Sequence, residues 1–318
     1  MSMTTDLPLI DLSSLKDHSS RSQTLEKIQI ACKEIGFFQV INHGVSHSVI
    51  KDAIDTSMEF FDMSDEEKMS FASDDIYKPV RYGTNITNPH REGYLQRSFL
   101  KLYCHPISHW IHMWPSNPSN YKEKMREYVV AVQALNQLLM DIVIKSLGLN
   151  PSYIQGEIDQ GMHVVLVNFY PLCSEPQSLS GLAPHTDHGL LTIALQSHPG
   201  LQIKNPNDKW VDVPLIEGAL LVLLGDQMEV MSNGIYKSVT HRATISNNAD
   251  QNRISIASFC SFALEEKVRP APMLVDEEHP CLYRESSVKE YFDFVSSNGT
   301  QKIRFIDTLK KNLVKEHA

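Results

Sequence analysis

Residues 184–196 read PHTDHGLLTIALQ and join a His-x-Asp pair to an apolar run. The run predicts a β-strand, and side chains two residues apart on a strand point to the same face. His185 and Asp187 would then approach one metal ion from one side. Two histidines and one carboxylate that leave coordination positions open are typical of non-haem Fe(II) oxygenases. The stretch therefore predicts a metal site that needs a further histidine on a neighbouring strand.

The best candidate for that histidine is His241, which lies 54 residues after Asp187. It follows a turn signal, SNG at 232–234, and a short run that can return along the sheet. Arg253 and Ser255 come next, two residues apart on a predicted strand, where an arginine can bind a carboxylate with its planar fork of donors. Taken singly, the histidines also fit core positions and the arginine a surface ion pair. The ordered set of five residues favours a site.

At these positions the chain resembles the plant 2-oxoglutarate- and Fe(II)-dependent dioxygenases. The five residues meet the family pattern of His-x-Asp, His and Arg-x-Ser, and the family's Asn-x-Tyr-Pro motif stands at 168–171. The N-terminal stretches LIDL at 9–12 and GFFQVINHG at 36–44 match as well. The motifs RYGTN, LYCHP and SNGIYKSVTHRA are similar to those of flavanone-3-hydroxylase-like and salicylate-hydroxylase-like members. The resemblance covers almost the whole chain.

The resemblance implies an Fe(II) site completed by 2-oxoglutarate and O2, with ascorbate as the reductant. The implied iron ligands and catalytic residues are His185, Asp187 and His241. The implied 2-oxoglutarate ligands are Arg253, Ser255, Tyr170 and Asn168. The candidate substrate-pocket residues are aromatic or basic: Tyr82, Lys101, Tyr103 and Phe259, with Tyr77, Arg81 and residues 260–262 as further candidates. His188 is expected to have no metal role.

The predicted fold is mainly β with flanking helices: a double-stranded β-helix, or jelly roll, with a helical N-terminal half and a C-terminal helix. Short runs with period-two alternation predict strands from residue 164 onward. The predicted helices are 20–33, 45–61, a short helix opened by a capping box at 64–67, 121–147 and 287–309. Residues 74–118 are expected to be irregular. Segments 1–160, 161–265 and 266–318 are interpreted as one catalytic unit.

Composition and net charge exclude some classes of binding partner and indicate a cellular compartment. The net charge of −9 and the pI near 5.8 argue against a nucleic-acid partner or an anionic membrane. The sequence contains no run of about 18 apolar residues, so no membrane span is predicted. The five cysteines are scattered and odd in number, as expected for reduced thiols in the cytoplasm. We expect a monomer whose partner is a small-molecule substrate.

The chemistry implied by the resemblance is hydroxylation of a small plant metabolite, such as a phenolic, flavonoid or alkaloid, with release of succinate and CO2. Desaturation, ring closure or oxidative demethylation would use the same site. Two further alternatives are an iron enzyme that does not use 2-oxoglutarate and a non-catalytic small-molecule sensor on the same fold. Substrate-dependent formation of succinate separates these alternatives.

Overall fold

Two β-sheets form the centre of the structure, a computed structural model that describes residues 7–86, 94–172, 179–244, 251–297 and 303–311. The main sheet, in spatial order, contains β1 (Leu9–Asp11), β2 (Phe37–Ile41), β10 (Leu220–Leu224), β7 (Leu191–Gln196), β12 (Arg253–Ser261), β5 (Met162–Tyr170), β4 (Tyr94–Tyr103) and β3 (Val80–Ile86). The second contains β6 (Leu179–His185), β11 (His241–Thr244), β8 (Leu201–Lys204) and β9 (Trp210–Asp212). Parallel pairing of β4 with β6 joins them. This confirms the predicted jelly roll.

The structure contains eight described helices, and three of them cover the outer face of the main sheet. The helices are α1 (His18–Glu34), α2 (His47–Phe61), α3 (Asp65–Met69), α4 (Ile107–Trp110), α5 (Tyr121–Ser146), α6 (Gln155–Asp159), α7 (Asp226–Met231) and α8 (Val288–Ser297). The predicted capping box is present at α3, where the Ser64 hydroxyl accepts from the Glu67 N–H and the Glu67 carboxylate accepts from Ser64. A short pair, β13 (Lys267–Val268) and β14 (Ser286–Ser287), lies outside both sheets.

Helix α5 is the one described helix that is long and apolar enough to cross a membrane. Half of its most apolar stretch is buried inside the protein, and its fully buried side chains include Tyr121, Met125 and Tyr128. The helix packs on α1 and α2 and reaches β7 and β12. Its hydrophobicity therefore serves the core between the helices and the outer face of the main sheet.

The inner faces of the two sheets are only partly packed against each other. Phe37, Leu221 and Leu223 of the main sheet meet Ile203 and Val213 in a separate apolar cluster. Elsewhere the inner face carries polar groups among apolar side chains, and a cavity remains between the sheets. The fold thus buries its apolar residues at one end and against the helices, which leaves the rest of the interior for a site.

Three predicted elements differ from the structure. Residues 74–118 were expected to be irregular, yet they contain β3 and β4, which pair in antiparallel register from Val80 opposite Leu102. The alternation was hidden because polar or aromatic side chains on one face of β4 line the cavity instead of an apolar core. Strand β6 was missed because its sequence, LSGLAPH, is poor in β-branched residues. The last helix ends at Ser297, residues 298–302 lie outside the described residues, and Phe305–Thr308 form a 3-10 turn.

The cysteines show no disulfide among the residues that the structure describes. Cys32, Cys104, Cys260 and Cys281 are free thiols, and burial raises the pKa of Cys260 to about 12. Cys173 lies outside the described residues. The buried thiols are therefore protonated and unreactive at neutral pH.

We predict that Gly36→Ala destabilises the protein strongly. Gly36 follows α1 with φ of +76°, and an added Cβ would lie 2.0 Å from the carbonyl oxygen of Lys237. The free energy of unfolding should fall by about 3 kcal/mol or more, because the clash adds to the ~1 kcal/mol cost of a left-handed alanine. Gly44→Ala is the control, since Gly44 has φ of +87° with nothing near its Cβ position. Equal losses in urea unfolding of both variants would contradict the prediction.

Candidate active site

The three predicted metal ligands come together at the ends of two paired strands. His185 is the last residue of β6 and His241 the first of β11, and the antiparallel register places them directly opposite each other. Their ring centroids are 4.2 Å apart. Asp187 lies in the loop after β6, so the prediction that it shares a strand with His185 was wrong. One ligand atom from each residue lies within 4.8 Å of the other two.

The distances between these atoms suit a shared cation. Asp187 Oδ1 is 3.7 Å from His185 Nε2 and 3.6 Å from His241 Nε2. These separations are too long for hydrogen bonds. They are close to those expected between neighbouring ligands that each lie ~2.0–2.2 Å from one metal ion. The loop carrying Asp187 therefore brings the carboxylate to a position where the three residues can bind one ion.

Backbone carbonyls orient both imidazole rings. His185 Nδ1 lies 2.9 Å from the carbonyl oxygen of Ala183, and His241 Nδ1 lies 3.1 Å from that of Val239. When Nδ1–H donates to a carbonyl, Nε2 keeps its lone pair, and here Nε2 faces Asp187. Burial, and next the neighbouring His241, lower the pKa of His185 to about 4. Its ring is therefore neutral at pH 7, which is the form that binds a metal.

Helix α7 holds the loop that carries Asp187. The Asp226 N–H donates to the carbonyl oxygen of Asp187 at 2.7 Å, and the Gln227 N–H donates to that of Gly189 at 3.1 Å. Gly225 is required just before this helix, because a Cβ there would lie 2.2 Å from the Gly189 carbonyl oxygen. The third ligand is thus placed by backbone hydrogen bonds from a neighbouring element.

Asp226 was missed in the sequence. Its carboxylate is buried, accepts from the Ser238 hydroxyl at 2.7 Å, and lies within hydrogen-bonding reach of Thr186. Burial raises the pKa of Asp226 to about 7. The residue links the loop after β6 to the segment that leads into β11. The available signal was its place directly after Gly225, at the end of the apolar strand LLVLL.

A second polar group lies on β12 and β5. The Arg253 side chain is buried, and its Nε and Nη2 donate to the carbonyl oxygen of His198 at 3.0 Å and to Gln196 Oε1 at 3.2 Å. The guanidinium carbon lies 4.9 Å from the centre of the Tyr170 ring. Arg253 Nη1 is buried without a hydrogen-bond partner among the described residues. A buried guanidinium with a free donor requires an anion.

Ser255 and Asn168 extend this group. They face each other in the β12–β5 register, and the amide nitrogen of Asn168 donates to the Ser255 hydroxyl at 3.3 Å. Asn168 Oδ1 has no partner within the described part of the chain. The predicted 2-oxoglutarate ligands therefore form one polar row on the inner face of the main sheet.

Both groups line one cavity of about 490 Å³. Most of the remaining wall is apolar, and one side of α8 closes part of it with Val288, Tyr291, Phe292 and Val295. Lys101, Tyr103 and Phe259 line this cavity, and their contact with a substrate stays a prediction. Arg97 also lines it and was missed, because region 74–118 was not interpreted as containing strands. The volume is within the range of ~300–1,000 Å³ typical of small-molecule sites.

Several predicted pocket residues lie elsewhere in the structure. Tyr82 is buried in the core with its ring 6.4 Å from those of Phe60 and Phe61, so its prediction as a substrate residue was wrong. Four further candidates also lie outside the described cavity wall: Tyr77, Arg81, Cys260 and Phe262. The Tyr77 hydroxyl donates to Asp293, and the Arg81 Nε donates to the Ser73 carbonyl oxygen. Cys260 lies on β12 between the cavity-lining residues Phe259 and Ser261, as strand alternation requires, and the strand β3 that carries Arg81 and Tyr82 was not predicted.

The other histidines do not join the metal ligands in the described residues. His188 is buried with its ring stacked on Tyr291, with centroids 4.3 Å apart and planes within 1°. His105 is fixed by Gln133 and by the carbonyl oxygen of Asp159. His43 contacts the carbonyl oxygen of Gly218 at 2.8 Å. These contacts give the three histidines structural roles.

Comparison with known proteins identifies the class. Residues 161–262 match the 2OG-Fe(II) oxygenase superfamily, and residues 7–117 match the N-terminal region of the non-haem dioxygenases in morphine synthesis. The rice (Oryza sativa subsp. japonica) protein 2-oxoglutarate-dependent dioxygenase 21, chloroplastic, is 44% identical over 308 residues, which cover 96% of this chain and 91% of that protein. Flavanone 3-dioxygenase 3 of the same organism is 41% identical over 309 residues, covering 96% and 93%.

A solved structure agrees with these sequence matches. The crystal structure of JOX2 in complex with 2OG, Fe and JA has a TM-score of 0.85 and 30% identity, and the match covers 96% of this chain and 89% of that one. The chain therefore belongs to the 2OG-Fe(II) oxygenase superfamily. It is a 2-oxoglutarate-dependent dioxygenase that uses Fe(II), 2-oxoglutarate and O2. The family predicted from the sequence is confirmed.

We predict that His241→Ala lowers the affinity for a divalent metal by about a hundredfold or more, because it removes one of three ligands that act together. Anaerobic calorimetric titration with Fe(II) measures the affinity, and circular dichroism checks the fold. His188→Phe is the control, since phenylalanine can keep the stack on Tyr291. Metal binding by His241→Ala with the parent's affinity would contradict the prediction.

Proposed function

We propose that this enzyme hydroxylates a small, largely apolar metabolite in the cavity between its two sheets. The proposed iron ligands are His185, Asp187 and His241. The proposed 2-oxoglutarate ligands are Asn168, Tyr170, Arg253 and Ser255. One observation carries the proposal: three ligand atoms meet within 4.8 Å in a cavity whose wall also contains a buried arginine, and one donor of this arginine has no partner among the described residues.

The donor set fits Fe(II). Two neutral imidazoles and one carboxylate on a single side of an ion leave the opposite positions open for exogenous ligands. The site lies at the wall of the cavity and is reached from its interior, which suits a cosubstrate and a substrate bound side by side. A closed structural site would need a fourth protein ligand, and the described residues provide three.

The polar row fits 2-oxoglutarate. A dicarboxylate can satisfy the unpaired Nη1 of Arg253, while the Ser255 and Tyr170 hydroxyls donate to the same end of the molecule. Arg253 is held at Nε and Nη2, so its free edge is preorganised for one orientation of a carboxylate. Asn168 on the neighbouring strand β5 adds an amide to this row, opposite Ser255.

When bound, the iron and 2-oxoglutarate supply C–H oxidation: O2, 2-oxoglutarate and the substrate R–H give R–OH, succinate and CO2. The protein positions the substrate and excludes water from the cavity. The apolar wall, including Leu166, Leu182 and Phe259, supports a substrate with a ring or chain of carbon atoms. We include phenolics, flavonoids and alkaloids in this class, and one relative is named for a flavanone.

We further propose that segments 1–160, 161–265 and 266–318 act as one catalytic unit, as a monomer in the cytoplasm. Strands β1 and β2 from the first segment pair into the same sheet as β10 from the second, and α8 from the third contributes to the cavity wall. Free cysteines support a reducing compartment. The relative named as chloroplastic makes localisation of a fluorescent fusion the direct test.

We predict that Arg253→Ala raises the KM for 2-oxoglutarate by about a hundredfold, because a buried charge pair typically contributes several kcal/mol. The measurement is succinate formation against 2-oxoglutarate concentration. Arg21→Ala is the control, since Arg21 lies on α1 and its Nη1 donates to the Leu15 carbonyl. An unchanged KM in Arg253→Ala would mean that the carboxylate is bound elsewhere.

We also predict that a suitable substrate raises succinate formation above the basal rate. The protein is incubated with Fe(II), ascorbate and 2-oxoglutarate and with pooled phenolics, alkaloids and hormones. A product heavier by one oxygen supports the hydroxylase. A product lighter by two hydrogens would replace hydroxylation with desaturation or ring closure, and absence of succinate from every pool with iron bound would oppose the proposal.

A further inference from the structure

Strand β4 presents two basic side chains to the cavity, and neither forms an ion pair with a carboxylate in the part of the chain that the structure describes. Arg97 and Lys101 are four residues apart, so they share the inner face of the strand. They are 7% and 9% exposed, and both line the cavity. None of the ion pairs within 4.0 Å among the described residues includes either group. Buried cations without a counter-ion are unfavourable, which points to a missing anion.

The charges of the loaded site leave this positive charge uncompensated. Asp187 is the only acidic residue in the described cavity wall. The charges of Fe(II), Asp187, Arg253 and the 2-oxoglutarate dianion add to zero when the histidines are neutral. Arg97 and Lys101 add two positive charges that this sum does not include. A further anion in the cavity would therefore be attracted even after the cosubstrate has bound.

Lys101 has donors available for such an anion. Its Nζ donates to the carbonyl oxygen of Ile76 at 2.5 Å and lies 4.8 Å from the centre of the Tyr103 ring. An ammonium group has three N–H donors, so this single bond leaves two. Burial lowers the pKa of Lys101 to about 8, Arg81 also lowers it, and Asp75 opposes them. The side chain is still mainly charged at pH 7.

The strand register separates Lys101 from the proposed 2-oxoglutarate ligands. Lys101 pairs with Leu166 on β5, which pairs with Ala257 on β12. This row is two residues along from the row of Asn168 and Ser255, or ~7 Å at the usual rise per residue. The next row beyond it contains Tyr103 and Phe259 on either side of Val164. Lys101 therefore faces the part of the cavity beyond the cosubstrate.

Arg97 lies toward the opposite end of β4. Its guanidinium is within hydrogen-bonding reach of Tyr170, the same hydroxyl that Arg253 approaches, and its charge also acts on His185. Its guanidinium carbon lies 5.0 Å from the centre of the Phe99 ring. Arg97 is thus next to the metal and cosubstrate ligands, whereas Lys101 is next to the aromatic side chains.

We propose that the substrate carries a carboxylate that Lys101 binds, while its carbon skeleton packs between Tyr103 and Phe259. This inference rests on the proposed function and narrows its substrate class to organic acids. It disfavours cationic alkaloids, because the wall beyond the cosubstrate is positively charged. The role of Lys101 is specificity, since it binds the substrate and leaves iron and 2-oxoglutarate to other residues.

The test uses matched pairs of acids and their neutral amides. The full-length protein is loaded with Mn(II) and N-oxalylglycine, which occupies the cosubstrate site and prevents turnover. Calorimetry then measures the binding of benzoate, cinnamate and naphthalene-1-acetate and of benzamide, cinnamamide and naphthalene-1-acetamide. We expect at least one acid to bind about tenfold or more tightly than its amide, as for a single buried charge contact.

Variants at position 101 identify the residue. Lys101→Met keeps the aliphatic stem and should reduce the acid-to-amide ratio to about twofold or less, whereas Lys101→Arg should retain the preference. Affinity for the amide should stay unchanged in Lys101→Met, which shows that the cavity is intact even if the variant loses some stability through the contact with Ile76.

Two results would overturn the proposal: no pair shows a preference for the acid, or Lys101→Met keeps the preference. In the second case, loss of the preference in Arg97→Gln would assign the carboxylate to Arg97 instead. Failure of the proposed function would be seen separately. In that case neither Mn(II) with N-oxalylglycine nor Fe(II) with 2-oxoglutarate would bind, and the charge-transfer absorption of the Fe(II)–2-oxoglutarate complex would be absent. That absorption should be unchanged in Lys101→Met.

Discussion

The direct pairing of His185 with His241 is the constraint on which the site depends. The two residues lie opposite each other where β6 ends and β11 begins, so the strand register sets the distance between their rings. A slip of one residue would turn one ring to the other face of the sheet. The carboxylate of Asp187 is not fixed by that register, and backbone donors from α7 place its loop instead. Two independent elements therefore have to be assembled before three ligands can meet.

A sheet with a polar inner face must gain its stability elsewhere. Arg253, Asn168 and Lys101 take positions that apolar side chains would fill in an ordinary sandwich. The outer face of the main sheet compensates, because α1, α2 and α5 bury it almost completely. Strands β1 and β2 extend the same sheet, and Phe37 on β2 closes the apolar end of the interior. The N-terminal half is thus a structural requirement for the cavity.

The metal and cosubstrate ligands could be predicted from the sequence more reliably than the strands that hold them. The five candidate ligands could be found because these residue types, in this order along the chain, have few functions other than binding a metal and an anion. They are His185, Asp187, His241, Arg253 and Ser255. The strand around Asp187 was wrongly predicted, since the apolar run begins only after the loop. Tyr82 and Arg97 show the converse error: assigning β3 and β4 would have placed Tyr82 in the core and Arg97 in the cavity. Polar residues facing a cavity mask the alternation on which strand prediction relies.

The distribution of charge links the interior to what it binds. The protein has a net charge of −9, yet its described cavity wall contains two arginines and one lysine against one acidic residue. Anionic ligands are repelled by the overall charge and attracted locally, and the low dielectric of the cavity strengthens the local effect. Fe(II) is attracted by the overall negative charge of the protein and repelled by the basic side chains of the cavity wall. Each anion that binds reduces the repulsion between Fe(II) and the basic cavity wall. The metal, the cosubstrate and an acidic substrate should therefore stabilise one another's binding.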